Sequence, residues 1–248
     1  RINQATTLPI LEENNRAESK VEELADRKRE RNSINTDILD YLGNYSDGKS
    51  LGDLYTPVEG LSDQVLSDTS ANRDSLRIGS VKFEERNNSI ILKVSARYKP
   101  KSDEAIDEDK LDRWGYFETK PMPAMIFSDV SMEMKSLIKE FVILAVNEGK
   151  GFANFRETAT KTNSLIDRLE KLTLPKLSDV ESGLKKFIKN KRKAQRSQKE
   201  IQEIDNQIDA IVFDLYDLNK DEIITVLDSL ETGESVKKDI LEKYESIK

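Results

Sequence analysis

The chain has 248 residues, of which 36% are hydrophobic and 35% charged, and its net charge is −7; a charged share above the ordinary quarter predicts a helix-rich, heavily solvated protein. Cysteine and histidine are both absent, which excludes disulfides, zinc sites of the usual kind and histidine-based acid–base catalysis together. No apolar run approaches the ~20 residues of a membrane helix, and the opening Arg1-Ile2-Asn3 has neither an initiator Met nor a signal-peptide core, so the chain reads as a cytoplasmic piece of a longer protein.

Pro9 suits the first turn of a helix, and Ala17, Val21, Leu24, Ile34, Ile38 and Leu42 recur at roughly helical spacing up to Gly43, predicting one helix over about 10–42. Arg27, Lys28, Arg29 and Arg31 interrupt its apolar face, so it needs a partner. Residues 43–75, rich in Gly, Ser and Asp, read as a loop with a short helix through Asp63 to Ser67. "LRIGSVKFEE" and "SIILKVSARY" alternate and are β-branched. They predict a hairpin with Asn87-Asn88 at its turn. "WGYFETKPMPAMIF" offers one or two further strands, and Pro121 and Pro123 suit an edge. The acidic stretch between, "KPKSDEAIDEDKLD", reads as a loop poor in large apolar groups.

Helices resume at Ser131, with Met134, Leu137, Ile138, Phe141, Val142 and Ala145 on one stripe that stops at Gly149. A second helix is predicted over about 153–172, carrying Phe155, Ala159, Thr162, Leu165, Ile166 and Leu169. From Leu177 the pattern is heptad-like: Val180, Phe187, Ala194, Ile201, Ile208 and Leu215 are each seven apart, with Ile204 and Ile211 interleaved. A helix over 177–216 would be about 60 Å long and cannot bury such a stripe alone. The fold class expected is therefore α+β and predominantly helical. A long, coiled-coil-like antiparallel helix pair would carry a small antiparallel β-sheet and short helices at one end. The regions are 1–43 (first long helix), 44–175 (a mixed α/β part) and 176–248 (second long helix and a terminal helical hairpin).

Charge is unevenly spread. Lys185, Lys186, Lys189, Lys191, Arg192, Lys193, Arg196 and Lys199 form a run of eight basic residues without an acid, whereas from Asp221 onward eight acids face four lysines. Such a run is either a solvated helix face or a phosphate-contacting one. "RETATKTNS" brings Arg156, Thr160, Lys161 and Asn163 to what reads as a helix start. Their hydroxyl, amide and cationic groups bond phosphates and base edges, or merely neighbouring loops. Arg97 and Lys99, with Arg113 beside Trp114 and Tyr116, set cations next to aromatics, although Trp114 itself reads as a core residue. Glu118-Thr119-Lys120 with Asp109 or Asp112 matches half of a metal-dependent nuclease pattern, a coincidence expected of common residue types. No catalytic residue and no metal ligand is predicted in this chain.

The final corner, "DAIVFDLYDLNKDEIITVLDSL", ends the heptad face with Ile211, Val212 and Leu215. It then caps a new helix with Asn219 and Glu222 in the manner of a capping box. This phrase resembles the C-terminal endings of adenine-specific (N6) DNA methyltransferases of restriction-modification and phage-defence systems, the Eco57I-like fused proteins among them. "LDYLGNYSDG", "ARYKP", "WGYFET" and "GFANFRETATKTNSLIDRLEKLTLP" are similar to the C-terminal regions of archaeal members. The tail phrase covers about 25 residues, and with the middle phrases the likeness extends over about two thirds of the chain. Where family members often carry Gly in the Leu-Tyr-Gly-Leu ending, this chain has Asp217, which speaks against a tight left-handed turn there. The resemblance implies a target-recognition and helical spacer region, with double-stranded DNA and the methyltransferase domain of the same parent chain as partners. S-adenosylmethionine would bind in that catalytic domain and no cofactor in this region. Neither an Asn/Asp-Pro-Pro-aromatic tetrapeptide nor a cofactor-binding glycine turn occurs, in keeping with a non-catalytic part. The reading from another class is a coiled-coil interaction domain that docks a nuclease or a partner subunit without touching DNA.

Overall fold

The computed structural model describes residues 7–61, 64–67, 74–101, 106–148, 158–160 and 163–247. These fall into two compact units, one of residues 37–187 and one that joins 1–36 to 188–248.

The 37–187 unit is built on an antiparallel sheet. β3 (Asp74–Arg86) and β4 (Ser89–Lys99) form the hairpin expected from the sequence. Arg86 pairs with Ser89 around the Asn87-Asn88 turn, and Asn87 takes φ +46°, a conformation Asn tolerates better than most residues. β4 then pairs on its other side with β5 (Phe117–Glu118) and β6 (Met122–Phe127), and β6 pairs with β2 (Thr56–Pro57). Pro123 is thus not on an edge strand, as expected, but in a strand paired on both sides. It is tolerated because β2 reaches only Met125 and Ile126, and because the β4 register shifts between Leu92 and Lys93 beside it. A second, two-stranded sheet joins β1 (Asp47–Ser50) to β7 (Thr173–Pro175).

α3 (Met132–Ile143) is capped by Ser131, whose hydroxyl accepts from the Met134 N–H, and runs on into a π-helical turn over Leu144–Glu148. Its stripe of Leu137, Ile138, Phe141 and Val142 is buried together with Ile78, Val81, Leu92, Val94 and Phe127 of the sheet. α4 is only Leu165–Glu170, not a helix over 153–172, and Ser164 opens it with a full capping box through Asp167. Residues 151–157, the first part of that expected helix, lie outside the described residues. Nor is 43–75 merely a loop, since it carries β1, β2 and the buried Leu51, Leu61 and Leu66. The leucines pin segments whose composition alone signals turns. The short helix expected over 63–67 is not there: residue 63 is outside the described residues, and 64–67 make hydrogen-bonded turns.

In the other unit, α1 spans Thr7–Ser33 and stops. A continuous helix to 42 is prevented by Ser33, Asn35, Thr36 and Asp37, whose side chains compete with the helical ladder. The Ser33 hydroxyl donates to the Glu30 carbonyl, and the Asp37 carboxylate, already in the 37–187 unit, accepts from the Leu39 N–H at the start of α2 (Leu39–Leu42). α5 (Leu177–Leu215) is continuous. Ala194, Ser197, Ile201, Ile204, Ala210, Ile211 and Phe213 are its buried apolar and small positions in this unit, whereas Ile208 and Leu215 are half-buried. A straight helix drifts by about 20° per heptad against a strict seven-residue repeat, so the buried face has rotated from the predicted stripe by the time it reaches Phe213. α6 (Lys220–Ser229) and α7 (Glu234–Ile247) close over that end. Ala210, Phe213, Ile223, Leu227, Ile240 and Tyr244 make one core there.

The expected fold class is overturned. Among the described residues there are seven α-helices and seven strands, in a five-stranded and a two-stranded antiparallel sheet. This is a mixed α and β protein whose largest core lies around the sheet, not a helix pair with a small sheet attached. α1 explains the error: Val21, one of its stripe residues, is 51% exposed. The sheet and α3, by contrast, supply much of the buried core, Leu76, Ile78, Val81, Leu92, Phe127, Leu137 and Phe141 among it.

Candidate nucleic-acid interface

The β3–β4 hairpin is bulged, and that irregularity brings a cluster of cations together in the 37–187 unit. From the turn to Val81 the register runs evenly, but between Ile78 and Val81 it shifts by one residue. The shift brings Arg77 opposite Arg97. Gly79 sits inside the bulge, where a Cβ would meet the Ser95 hydroxyl at 2.6 Å and the Glu118 carboxyl carbon at 2.7 Å. A side chain there would displace the Ser95 hydroxyl and the Glu118 carboxylate from the positions they hold. Ser80 donates to the Glu118 carboxylate at 2.8 Å, and the buried Ser95 hydroxyl donates to the same oxygen. The amide of Asn147, on the π-helical turn, repairs the bulge by accepting from the Val81 N–H at 2.9 Å and donating to the Val81 carbonyl at 3.1 Å.

Above this bulge lies Tyr116. Its ring centre is 4.2 Å from the Arg77 guanidinium carbon, 4.9 Å from that of Arg97 and 5.2 Å from the Lys99 ammonium. Three cations around one ring repel each other, and the aromatic quadrupole offsets part of that cost. Asp112 offsets more. One of its oxygens pairs with Arg97, and the other accepts from the backbone N–H groups of Trp114 and Tyr116, each at 2.9 Å. Gly115, at φ +75°, lets the chain double back so that Asp112 N–H reaches the Tyr116 carbonyl. Arg113 stacks on Trp114 with its guanidinium carbon 3.8 Å from the ring centre. Trp114 is 59% exposed, so its expected place in the core is corrected. Arg77, Lys99, Trp114, Tyr116 and Asn147 line an open cleft of about 700 Å³. Further along the same ladder Lys93 lies beside Glu84 and, with Arg86, holds that carboxyl below the usual range.

Three of the candidate residues, Arg97, Lys99 and Arg113, thus come together. Thr160 and Asn163 do not lie on a helix start. They face each other across an isolated antiparallel bridge just before the Ser164 cap, and the Asn163 side chain accepts from Lys171. Arg156 and Lys161 are outside the described residues. Lys185, Lys189, Arg192, Lys193 and Arg196 all lie exposed on α5. Lys185 is tied to Glu181 and Lys193 to Glu30 of α1. Lys189, Arg192 and Arg196, at intervals of three and four residues, share one face of the helix, and have no carboxylate partner among the described residues. Glu118 and Asp112, two members of the half nuclease pattern, are engaged by Ser80, Ser95 and Arg97, and no cluster of three metal-ligating side chains exists among the described residues.

Arg77 was not singled out by the sequence. Counting residues back from the Asn87-Asn88 turn puts Tyr98, not Arg97, opposite Arg77 and so assigns Arg77 to the other face. Only the glycine in "RIGS", a possible bulge marker, signals otherwise.

A scan against protein-family models found no match to the chain, and comparisons with curated proteins and with solved structures found none either.

Proposed function

We propose that this chain is a DNA-contacting region: the target-recognition or positioning part of an adenine-N6 DNA methyltransferase of a restriction-modification or phage-defence system. The observation that carries the DNA reading is the Arg77, Arg97 and Lys99 cluster around Tyr116, in which two of the three cations have no carboxylate partner among the described residues. Cations massed without counter-charges are stabilised by a polyanion that supplies the missing charge. Lys189, Arg192 and Arg196 on α5, which have no carboxylate partner among the described residues, offer a second set of phosphate contacts. A net charge of −7 confines attraction to such patches. The methyltransferase assignment rests on the resemblance of the C-terminal corner and the middle phrases. On this reading methylation and S-adenosylmethionine belong to a catalytic domain other than this chain.

The test is a salt titration of duplex binding by the chain. Log affinity is expected to fall linearly with log salt as counterions are released, and Arg77→Ala with Lys99→Ala to flatten the slope by about two. Binding that is absent or insensitive to salt would remove the DNA reading. The coiled-coil docking reading would then replace it, favoured by Tyr216 and Leu230, which stand 73% and 68% exposed around the terminal corner.

A further inference from the structure

Trp114 stands largely in water. Large aromatic side chains are buried on average, yet this one is 59% exposed on a turn that is itself well held. Asp112 takes the Trp114 and Tyr116 N–H groups, Gly115 supplies the left-handed residue, and the turn closes through Asp112 N–H to the Tyr116 carbonyl. One face of the indole carries the Arg113 guanidinium at 3.8 Å. A ring covered on one face and still more than half exposed leaves its other face to solvent.

Resting on the DNA reading above and making it more specific, we infer that the cleft takes an unpaired nucleotide, its base stacked on the free face of Trp114 and its phosphate between Arg77 and Lys99. Bases inside an intact duplex present only edges to a protein, so a free indole face has a use only for a base that has left the stack. The cations divide accordingly. Arg97 is already paired with Asp112, whereas Arg77 and Lys99 keep their charge for a phosphate while Tyr116 holds them in place. The cleft, about 700 Å³, is within the range of small-ligand sites and is open enough for a chain to enter and leave. Asn147, at the cleft wall, spends its amide on Val81, so stacking and charge rather than a hydrogen-bond code select the ligand. Little base preference is expected.

Trp114 is the single tryptophan, so its fluorescence reports this site alone. Titration of the whole chain with oligo-dT of about ten nucleotides is expected to quench it saturably, while a perfect duplex that binds, as followed by anisotropy, quenches it weakly. Oligo-U quenching as strongly as oligo-dT supports a site for any unpaired nucleotide; quenching by oligo-dT alone supports one confined to DNA. Trp114→Ala should weaken labelled oligo-dT about tenfold, within the range of one lost base stack, and Trp114→Phe should recover most of it. Tyr216→Ala, exposed in the other unit, should change nothing, and thermal melts should show every variant folded. Equal quenching by single strand and duplex, or equal quenching by inorganic pyrophosphate, overturns the inference. Salt-dependent duplex binding without any single-strand quenching overturns it too, yet leaves the DNA reading standing; loss of both removes the two together.

Discussion

Arg77 and Arg97 stand directly opposite one another across the β3–β4 ladder, a like-charge pair in a position where such pairs are destabilising. The fold tolerates it because Tyr116 lies against both guanidinium groups and Asp112 pairs with one of them. Cations assembled at a cost to folding are ordinarily kept for a ligand.

Asp112→Asn separates these roles. The amide oxygen can still accept from the Trp114 and Tyr116 N–H groups, but the counter-charge of Arg97 is gone. Stability is expected to fall by about 1 kcal/mol, the upper end for an ion pair that is still part-exposed. Duplex affinity at low salt should rise, and the salt slope should steepen by about one, because Arg97 then competes for a phosphate. Chemical denaturation beside a salt titration reads both. A variant that loses stability and affinity together would mean that Asp112 acts only on the shape of the turn.

The hairpin, its turn, α3 and the Asn219 capping box were legible in the sequence because each rests on neighbours in the chain: alternation, a two-residue Asn turn, a 3.6-residue stripe, a cap followed three residues later by Glu222. The face shared by Arg77 and Arg97 was not. It depends on a bulge at Gly79 whose existence is decided by Ser95, Glu118 and Asn147, residues 16 to 68 positions away. The weight of the fold was misjudged for a related reason. A seven-residue repeat is the loudest periodic signal a sequence gives, whereas Leu51, Leu61 and Leu66 bury in a stretch whose Gly, Ser and Asp content says loop.

Asp217 marks a place where the sequence argued against a conformation that forms. α5 ends with Leu218 N–H bonded to the Phe213 carbonyl and Asp217 N–H to that of Asp214. That is the Schellman arrangement, with Leu218 and Phe213 in apolar contact through the same core. Asp217 takes the left-handed position at φ +52°, where a side chain costs about 1–2 kcal/mol. Asp217→Gly should raise stability, by about 0.5–1 kcal/mol once the extra freedom of glycine in the unfolded chain is subtracted. Glu231, at φ +53°, ends α6 with the same bond pattern and should respond alike. Denaturant midpoints that fall for both variants would contradict this account of the corner.

Asn206 is buried at 4% exposure and donates to the Asp239 carboxylate at 2.6 Å, joining α5 to α7. That bond first, and Lys243 second, holds the Asp239 carboxyl below its ordinary value. A carboxylate with a depressed folded pKa stabilises the fold above its unfolded pKa of about 3.9, and the contribution is lost as pH falls through the lower folded value. Stability of the wild type should therefore decline as pH is taken from about 5 toward 2. Asp239→Asn should show a shallower decline over that window, because no charge remains to be titrated there. Thermal melting at a series of pH values measures it; parallel curves for the two proteins would mean that Asn206 favours neither form of Asp239.

Gly183 lies in the interior of α5, where replacing glycine by alanine ordinarily stabilises a helix by about 0.5–1 kcal/mol. Here the sign should reverse. A Cβ built at Gly183 falls far inside contact distance of the Tyr41 carbonyl oxygen, a backbone atom that cannot swing aside as a side chain would. The approach is fixed from both sides, since the Tyr41 ring meets Phe187, one helical turn beyond Gly183, edge to face at 5.7 Å. Buried Val180 and Leu184 anchor the helix around the same point. Gly183→Ala must push α5 away from α2 or bend one of them, and a loss of about 2–3 kcal/mol is expected, the scale of overpacking in a close-fitted core. Gly233, with nothing within 4 Å of its added Cβ, is the control, and Gly233→Ala should stay within about 0.5 kcal/mol of the wild type. Urea denaturation of the three proteins decides the matter: a Gly183→Ala protein as stable as the wild type would show that α5 does not rest on the Tyr41 backbone.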